Sequence, residues 1–263
     1  MGTDAEEHYL ALMREAYDGR YILSNAYSIP KNIPFLYPSG GEAIAGFASR
    51  ISGLGAVQFN MVMKFASPFV LFILLYYLSL ILGGKRSTAL IAASFVILGS
   101  NLAARPNEIL SIFGLGSGYH PGFNNYFRPI NPEISSMVFF GYLVLFYKFI
   151  KNPKFLTGLF LGIILGVSFY FYLFTWTFLL VLTGMLLIFA VITKKYGMAK
   201  CISLTLAISL FLSVPYWFEA LRAISSPAYF EAALRFGMVS GRHFFISGSL
   251  ALVAMITVFL FLR

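Results

Sequence analysis

The chain has 263 residues, 59% of them hydrophobic, 18% aromatic and only 11% charged, with a formal net charge of +9. A soluble domain carries about 25% charged residues, so the polar side chains are too few to cover a globular surface and the composition indicates an integral membrane protein. The basic excess would suit a nucleic acid only if it were gathered on one soluble face; it falls between long apolar runs, so no nucleic-acid partner is expected.

The first residues are acidic and polar, unlike a secretory signal peptide. Thr3 and Glu6 have the spacing of a capping box, which predicts a helix running to about Tyr17 and ending before Asp18-Gly19. On it Asp4, Glu7 and His8 stand at i, i+3 and i+4, one face. Two carboxylates and an imidazole there can hold a divalent cation or supply a general base; alternatively, the acids simply complement the helix dipole. Asn25 to Pro38 reads as an ordered loop rich in Pro, Asn and Tyr. Glu42 to Ile51 reads as a short amphipathic helix, with Ile44, Phe47 and Ile51 on one side, suited to the bilayer surface.

Apolar runs of about 17 to 25 residues are read as bilayer-crossing helices. Seven are expected, over Phe59 to Leu82, Thr88 to Ala104, Ile134 to Ile150, Phe155 to Tyr172, Leu173 to Thr193, Ala199 to Phe218 and Phe244 to Leu262. The fourth and fifth are split at Tyr172, because the joint run far exceeds the bilayer thickness. The fold class is therefore all-α, a polytopic membrane helix bundle. Residues 1–58 form a first extracytoplasmic segment with interfacial helices, and residues 59–263 form the bundle, with outer loops 105–133 and 219–243. Lys64 would snorkel to the outer interface. Tyr170, Tyr172, Phe174 and Trp176 read as boundary packing or an aromatic belt. The single cysteine, Cys201, excludes an internal disulfide framework and a cysteine zinc site.

One set of connections is short and purely basic: Lys85 and Arg86; Lys148, Lys151 and Lys154; Lys194, Lys195 and Lys200; and Arg263. The other set holds all ten acidic residues. By the positive-inside rule the basic set is cytoplasmic, which puts the N-terminal segment outside and the C-terminus inside, in what is expected to be the plasma membrane. Nothing in the sequence would deliver a polar segment of this length outward. A preceding helix is therefore inferred to be missing, and the end just after an apolar span suggests that the C-terminal part is missing as well.

Polar chemistry should then sit on the outer face. In the second loop, Tyr119, His120, Asn124 and Asn125 combine hydrogen-bonding groups with flat aromatic faces, a mixture suited to a sugar. Arg128 has the geometry for a phosphate. An interfacial aromatic belt with one anchoring Arg is the other reading. Arg235, Arg242 and His243 close the third loop and would hold an anionic headgroup or anchor at the interface. The expected spans hold no acidic residue, which argues against a proton-coupled transporter. No HExxH, no complete GxSxG triad and no internal repeat is found.

The acidic cluster Asp4-Ala5-Glu6-Glu7, running into interfacial helices and then a multi-span bundle, resembles the GT-C class of polytopic membrane glycosyltransferases. That class includes protein mannosyltransferases, aminoarabinose transferases and oligosaccharyltransferases. FRPINPE in the second loop and the later GLFLGIILGVSFYFYLFTW look similar to members of the class. The resemblance covers the whole chain in layout, with the first helix and the C-terminal part lacking. It implies that Asp4 is catalytic base or metal ligand, with Glu6 or Glu7 as second member, and that a sugar moves from a polyprenyl-phosphate-linked donor to a protein, lipid or glycan acceptor outside. Glu7 and His8 would support Asp4, Glu6 would help bind substrate, and Arg128 and Arg242 would contact the phosphate. No cofactor is dictated; a divalent ion, magnesium or manganese, would draw on Asp4, Glu7 and Glu108. The second loop offers Asn107-Glu108 and Glu133 but no DxD or DxE. Rival readings are a transporter or lipid flippase without glycosyl transfer, and a non-enzymatic membrane subunit.

Overall fold

The computed structural model describes residues 5–21, 23, 39–99 and 133–225, and every described element is helical. The chain falls into two compact units, Met1–Ala220 and Leu221–Arg263; the packing below lies within the first.

Two short helices come first. Helix α1, Ala5–Tyr17, buries Leu12, Met13 and Ala16. It closes through Gly19 (φ 99°), with Gly19 N–H donating to Ala16 O and Arg20 N–H to Glu15 O, both at 3.0 Å, a Schellman end that only a left-handed residue permits. Helix α2, Gly40–Ser52, buries Gly41, Glu42, Ala45, Gly46 and Ser49 and leaves Ile44, Phe47 and Ile51 exposed. The small face packs on α1 so closely that a Cβ at Gly46 would lie 2.4 Å from Ala16 Cβ and 2.5 Å from Met13 O. Both helices match the expected segments to within two residues, and the apolar side of α2 faces outward, as an interfacial helix requires.

Helix α3, Ala56–Ile81, is 26 residues long, about 39 Å at the standard rise. It begins three residues before the expected Phe59, where the Gln58 side chain accepts the Gly55 N–H at 3.2 Å. A tight turn leads to α4, Arg86–Ser94, which continues as a π-helical turn over Phe95–Gly99. Then follow α5, Glu133–Lys151; α6, Phe155–Ser168; α7, Leu173–Ile192; and α8, Tyr196–Ile224. The fourth expected run does break from the fifth, through a turn at Phe169–Phe171.

Four of these helices, α3, α5, α7 and α8, are long and apolar enough to cross a membrane, and Arg86–Leu98 and Phe155–Ser168 are shorter apolar helices. At 14 residues, α6 reaches about 21 Å, short of a hydrocarbon core of about 30 Å. The expected span at Phe244 to Leu262 lies outside the described residues. Large apolar side chains point outward along these helices, among them Phe65, Phe69, Met185, Ile188 and Phe211, a surface suited to lipid and unsuited to water.

Inside, Tyr142, Phe149, Leu161, Leu165, Leu179 and Ile202 form one core across α5 to α8. Gly158, Gly162 and Gly166 repeat every four residues on α6 and meet α8: a Cβ at Gly162 would lie 2.9 Å from Thr205 O, and one at Gly166 2.7 Å from Leu212 Cβ. Thr205 Oγ1 donates to Gly158 O at 2.9 Å across this contact. Small residues at four-residue spacing let helix backbones approach in this way.

The bundle has two unlike ends. Lys148 Nζ lies 5.0 Å from the Tyr77 ring centre, so the C-terminal turns of α3 and α5 meet, and the short links carrying Lys85, Arg86, Lys151, Lys154, Lys194 and Lys195 gather there. At the other end Gly40 N–H donates to Tyr170 O at 2.7 Å, tying the start of α2 to the turn between α6 and α7. The starts of α3 and α5 lie with them, since Ala45, Ala56, Ile134 and Phe171 share one cluster with Met13.

Candidate functional site

At the end that carries α1 and α2, the two helices run side by side in the same direction: Gly46 sits over Met13 and Ala16, and a Cβ at Gly19 would meet Arg50. Ala45, one residue before Gly46, shares a cluster with Met13 and Tyr9, and Ala43 packs on Leu12 and Ala16. The register therefore brings Glu42, in the first turn of α2, level with the middle of α1, near Leu12.

Glu42 is only 7% exposed. Burial raises its carboxyl from the ordinary value to about 7, opposed by a hydrogen bond from its own backbone N–H. A carboxyl poised near neutrality can take up or give a proton at modest cost, which is what general acid–base chemistry needs. His8 is half-buried, its ring 5.9 Å from Tyr9 in an edge-on contact, and burial lowers its pKa as well. Desolvation thus favours the uncharged form of both groups, by opposite shifts.

Glu133, the first residue of α5, is 0% exposed. Ser67 is its neighbour on α3, but the Ser67 hydroxyl is aimed at Met63 Sδ, 3.9 Å away. Both Glu133 carboxyl oxygens are therefore without a hydrogen-bond partner among the described residues. Glu133 is thus buried against α3, where the sequence reading has it closing a loop. The membrane-length helix begins at Glu133, one residue before the expected Ile134, so an acidic residue stands at its first position.

The aromatic residues around Trp176 divide. Phe169 stacks on Trp176 at 4.3 Å and 13°, and Tyr216 and Trp217 of α8 meet both rings edge-on. Tyr170 Oη donates to Leu212 O at 2.8 Å, next to the bend position of Pro215. Tyr172 and Phe174 stay exposed. The group is thus partly core and partly surface, and Tyr216 and Trp217, remote in sequence, complete it.

Of the residues expected to act as catalytic, substrate-binding or metal groups, His8 is the one whose side chain is described. Glu6 and Glu7 belong to the first turn of α1, with side chains outside the described part. Asp4, Glu108, Tyr119, His120, Asn124, Asn125, Arg128, Arg242 and His243 lie outside the described residues. Glu42 was missed as a site residue because its pattern marks only a helix start; the signal that finds it, burial, is tertiary. Among the described residues no three His, Cys, Asp or Glu side chains come together as a metal site would require. No family model, curated protein or solved structure matches this chain.

Proposed function

We propose that the chain is a GT-C-like membrane glycosyltransferase that moves a sugar from a polyprenyl-phosphate-linked donor to an acceptor on the extracytoplasmic face. In this reading the bundle crosses the plasma membrane seven times, with α1 and α2 outside and the basic connections in the cytoplasm. The observation that carries it is the buried Glu42 carboxyl, poised near neutrality on the helix packed against α1, whose first turns bear the acidic cluster and His8. Asp4 or Glu42 takes the proton of the acceptor hydroxyl as its oxygen bonds to the anomeric carbon. The bond from that carbon to the phosphate oxygen breaks, and polyprenyl phosphate leaves with the electron pair. Arg128 and Arg242 neutralise the departing phosphate, Glu7 and His8 support the base, and Glu6, Tyr119, His120, Asn124, Asn125 and His243 hold the substrates.

Membranes carrying Asp4→Asn or Glu42→Gln, assayed for transfer from a polyprenyl-phosphate sugar, test this. Loss of a general base lowers turnover by about 100-fold or more. Near wild-type transfer by both well-expressed variants removes this base assignment.

Glu133 favours a second reading, a transporter or flippase, because an ionisable group buried in a membrane-length helix commonly marks a substrate or ion path. On that reading Glu133→Gln abolishes substrate flux in proteoliposomes that show no glycosyl transfer.

A further inference from the structure

The basic end of the bundle, away from the proposed reaction, holds a groove. A cavity of about 420 Å³ opens between α3 and α4, lined by Phe72 and Tyr76 on one side and by Arg86, Ser87 and Leu90 on the other. Its size falls in the lower part of the range for ligand sites. Each wall includes a pair at i, i+4, Phe72 and Tyr76 on one helix and Arg86 and Leu90 on the other, which share one ridge. The turn between them is closely determined: Gly83 adopts φ 97°, Gly83 N–H donates to Leu80 O at 3.1 Å, and Gly84 N–H donates to Ser79 O at 3.0 Å. A Cβ at Gly84 would come within 2.8 Å of Ser79 O, so the two ridges are held at a set separation.

Depth and charge identify the occupant. Tyr76 and Phe72 stand five and nine residues before the end of α3, about 8 and 14 Å into the bundle at the helical rise. Each polar layer of a bilayer is about 5 to 8 Å thick. With α3 across the membrane, the Arg86 mouth lies at headgroup level and the aromatic wall at acyl depth. Arg86 and Ser87 are exposed, and Leu90 is half-exposed. Arg86 forms no ion pair with a described residue, and the connections at this end carry basic residues with no acidic one between them. A soluble anion would use the mouth and leave the apolar walls idle.

We propose that this groove binds one anionic phospholipid of the surrounding leaflet, its phosphate on Arg86 with Ser87 donating a hydrogen bond, and an acyl chain along Phe72, Tyr76 and Leu90.

The test is native mass spectrometry of the full chain from phosphatidylcholine nanodiscs containing a minor fraction of phosphatidylglycerol. One retained phosphatidylglycerol, enriched over its share of the disc, is expected. Arg86→Gln should lower the enrichment about fivefold, the factor for one surface cation near anionic lipid. Leu90→Glu should lower it too, by setting a negative charge in the acyl path, and Lys194→Gln, at the same end but outside the groove, should leave it unchanged. Undiminished enrichment in Arg86→Gln or Leu90→Glu overturns the proposal. So does an equal loss in Lys194→Gln, which means diffuse attraction, or displacement of the lipid by inorganic phosphate, which means a site for soluble anions.

Discussion

At the scale of single residues, Glu42 sets burial against ionisation. Its folded-state pKa of about 7 lies above the ordinary carboxylate value of 4.5, so the folded protein binds more protons than the unfolded chain between those limits. Stability therefore falls as pH rises through that window: below it both states are protonated and nothing is lost, and above it the cost of the buried charge is complete, of order 3 kcal/mol. His8 acts in the opposite sense, since a pKa lowered by burial makes folding costlier as pH falls below the ordinary histidine value. In detergent the wild type should lose thermal stability from about pH 4.5 to about pH 7, and Glu42→Gln should flatten the profile and melt higher at the alkaline end. A parallel profile in the variant would mean that Glu42 is not the group titrating. The sequence puts Glu42 at a helix start and offers no sign of this, because a carboxyl there is usually solvated and only packing in the folded chain takes it from water.

At the scale of elements, glycines separate packing from simple helix content. Alanine is better than glycine in a helix by about 1 kcal/mol, and overpacking a close contact costs about 1–3 kcal/mol. At Gly46 the new Cβ would meet Ala16 Cβ and the backbone of Met13, and at Gly162 the Thr205 carbonyl and Ile208 Cβ, so overpacking wins at both. At Gly184 nothing lies within 4 Å, so propensity wins. Gly46→Ala and Gly162→Val should lower the melting temperature, while Gly184→Ala should hold or raise it; similar losses at all three would show that α6 and α8 do not meet through the glycine stripe. The four-residue spacing of Gly158, Gly162 and Gly166 is plain in the sequence. The identity of the helix they face is not, because α8 begins some thirty residues further along and only packing selects it.

At the scale of the whole molecule, the division of charge between the two sets of connections in the sequence is the main organising fact. With Cys201 replaced by serine, a cysteine at Asp18 should react with an impermeant thiol reagent from outside intact cells, and one at Lys154 only after permeabilisation; the reverse pattern would invert the proposed orientation. Periodicity and composition alone determine the all-helical class, the limits of α1 and α2, the break between α6 and α7, and the gathering of lysines between apolar runs. These features depend on local spacing and on the cost of placing charge or an unpaired backbone group in lipid, both written in neighbouring residues. The tertiary structure alone decides that α6 is shorter than the apolar run that contains it, that Glu133 is buried beside Ser67, and that Tyr216 and Trp217 complete the cluster around Trp176. It also decides that Glu42 is buried. Burial is a property of a residue together with whatever packs on it, and those partners lie tens of residues away in the chain, beyond the reach of any local pattern.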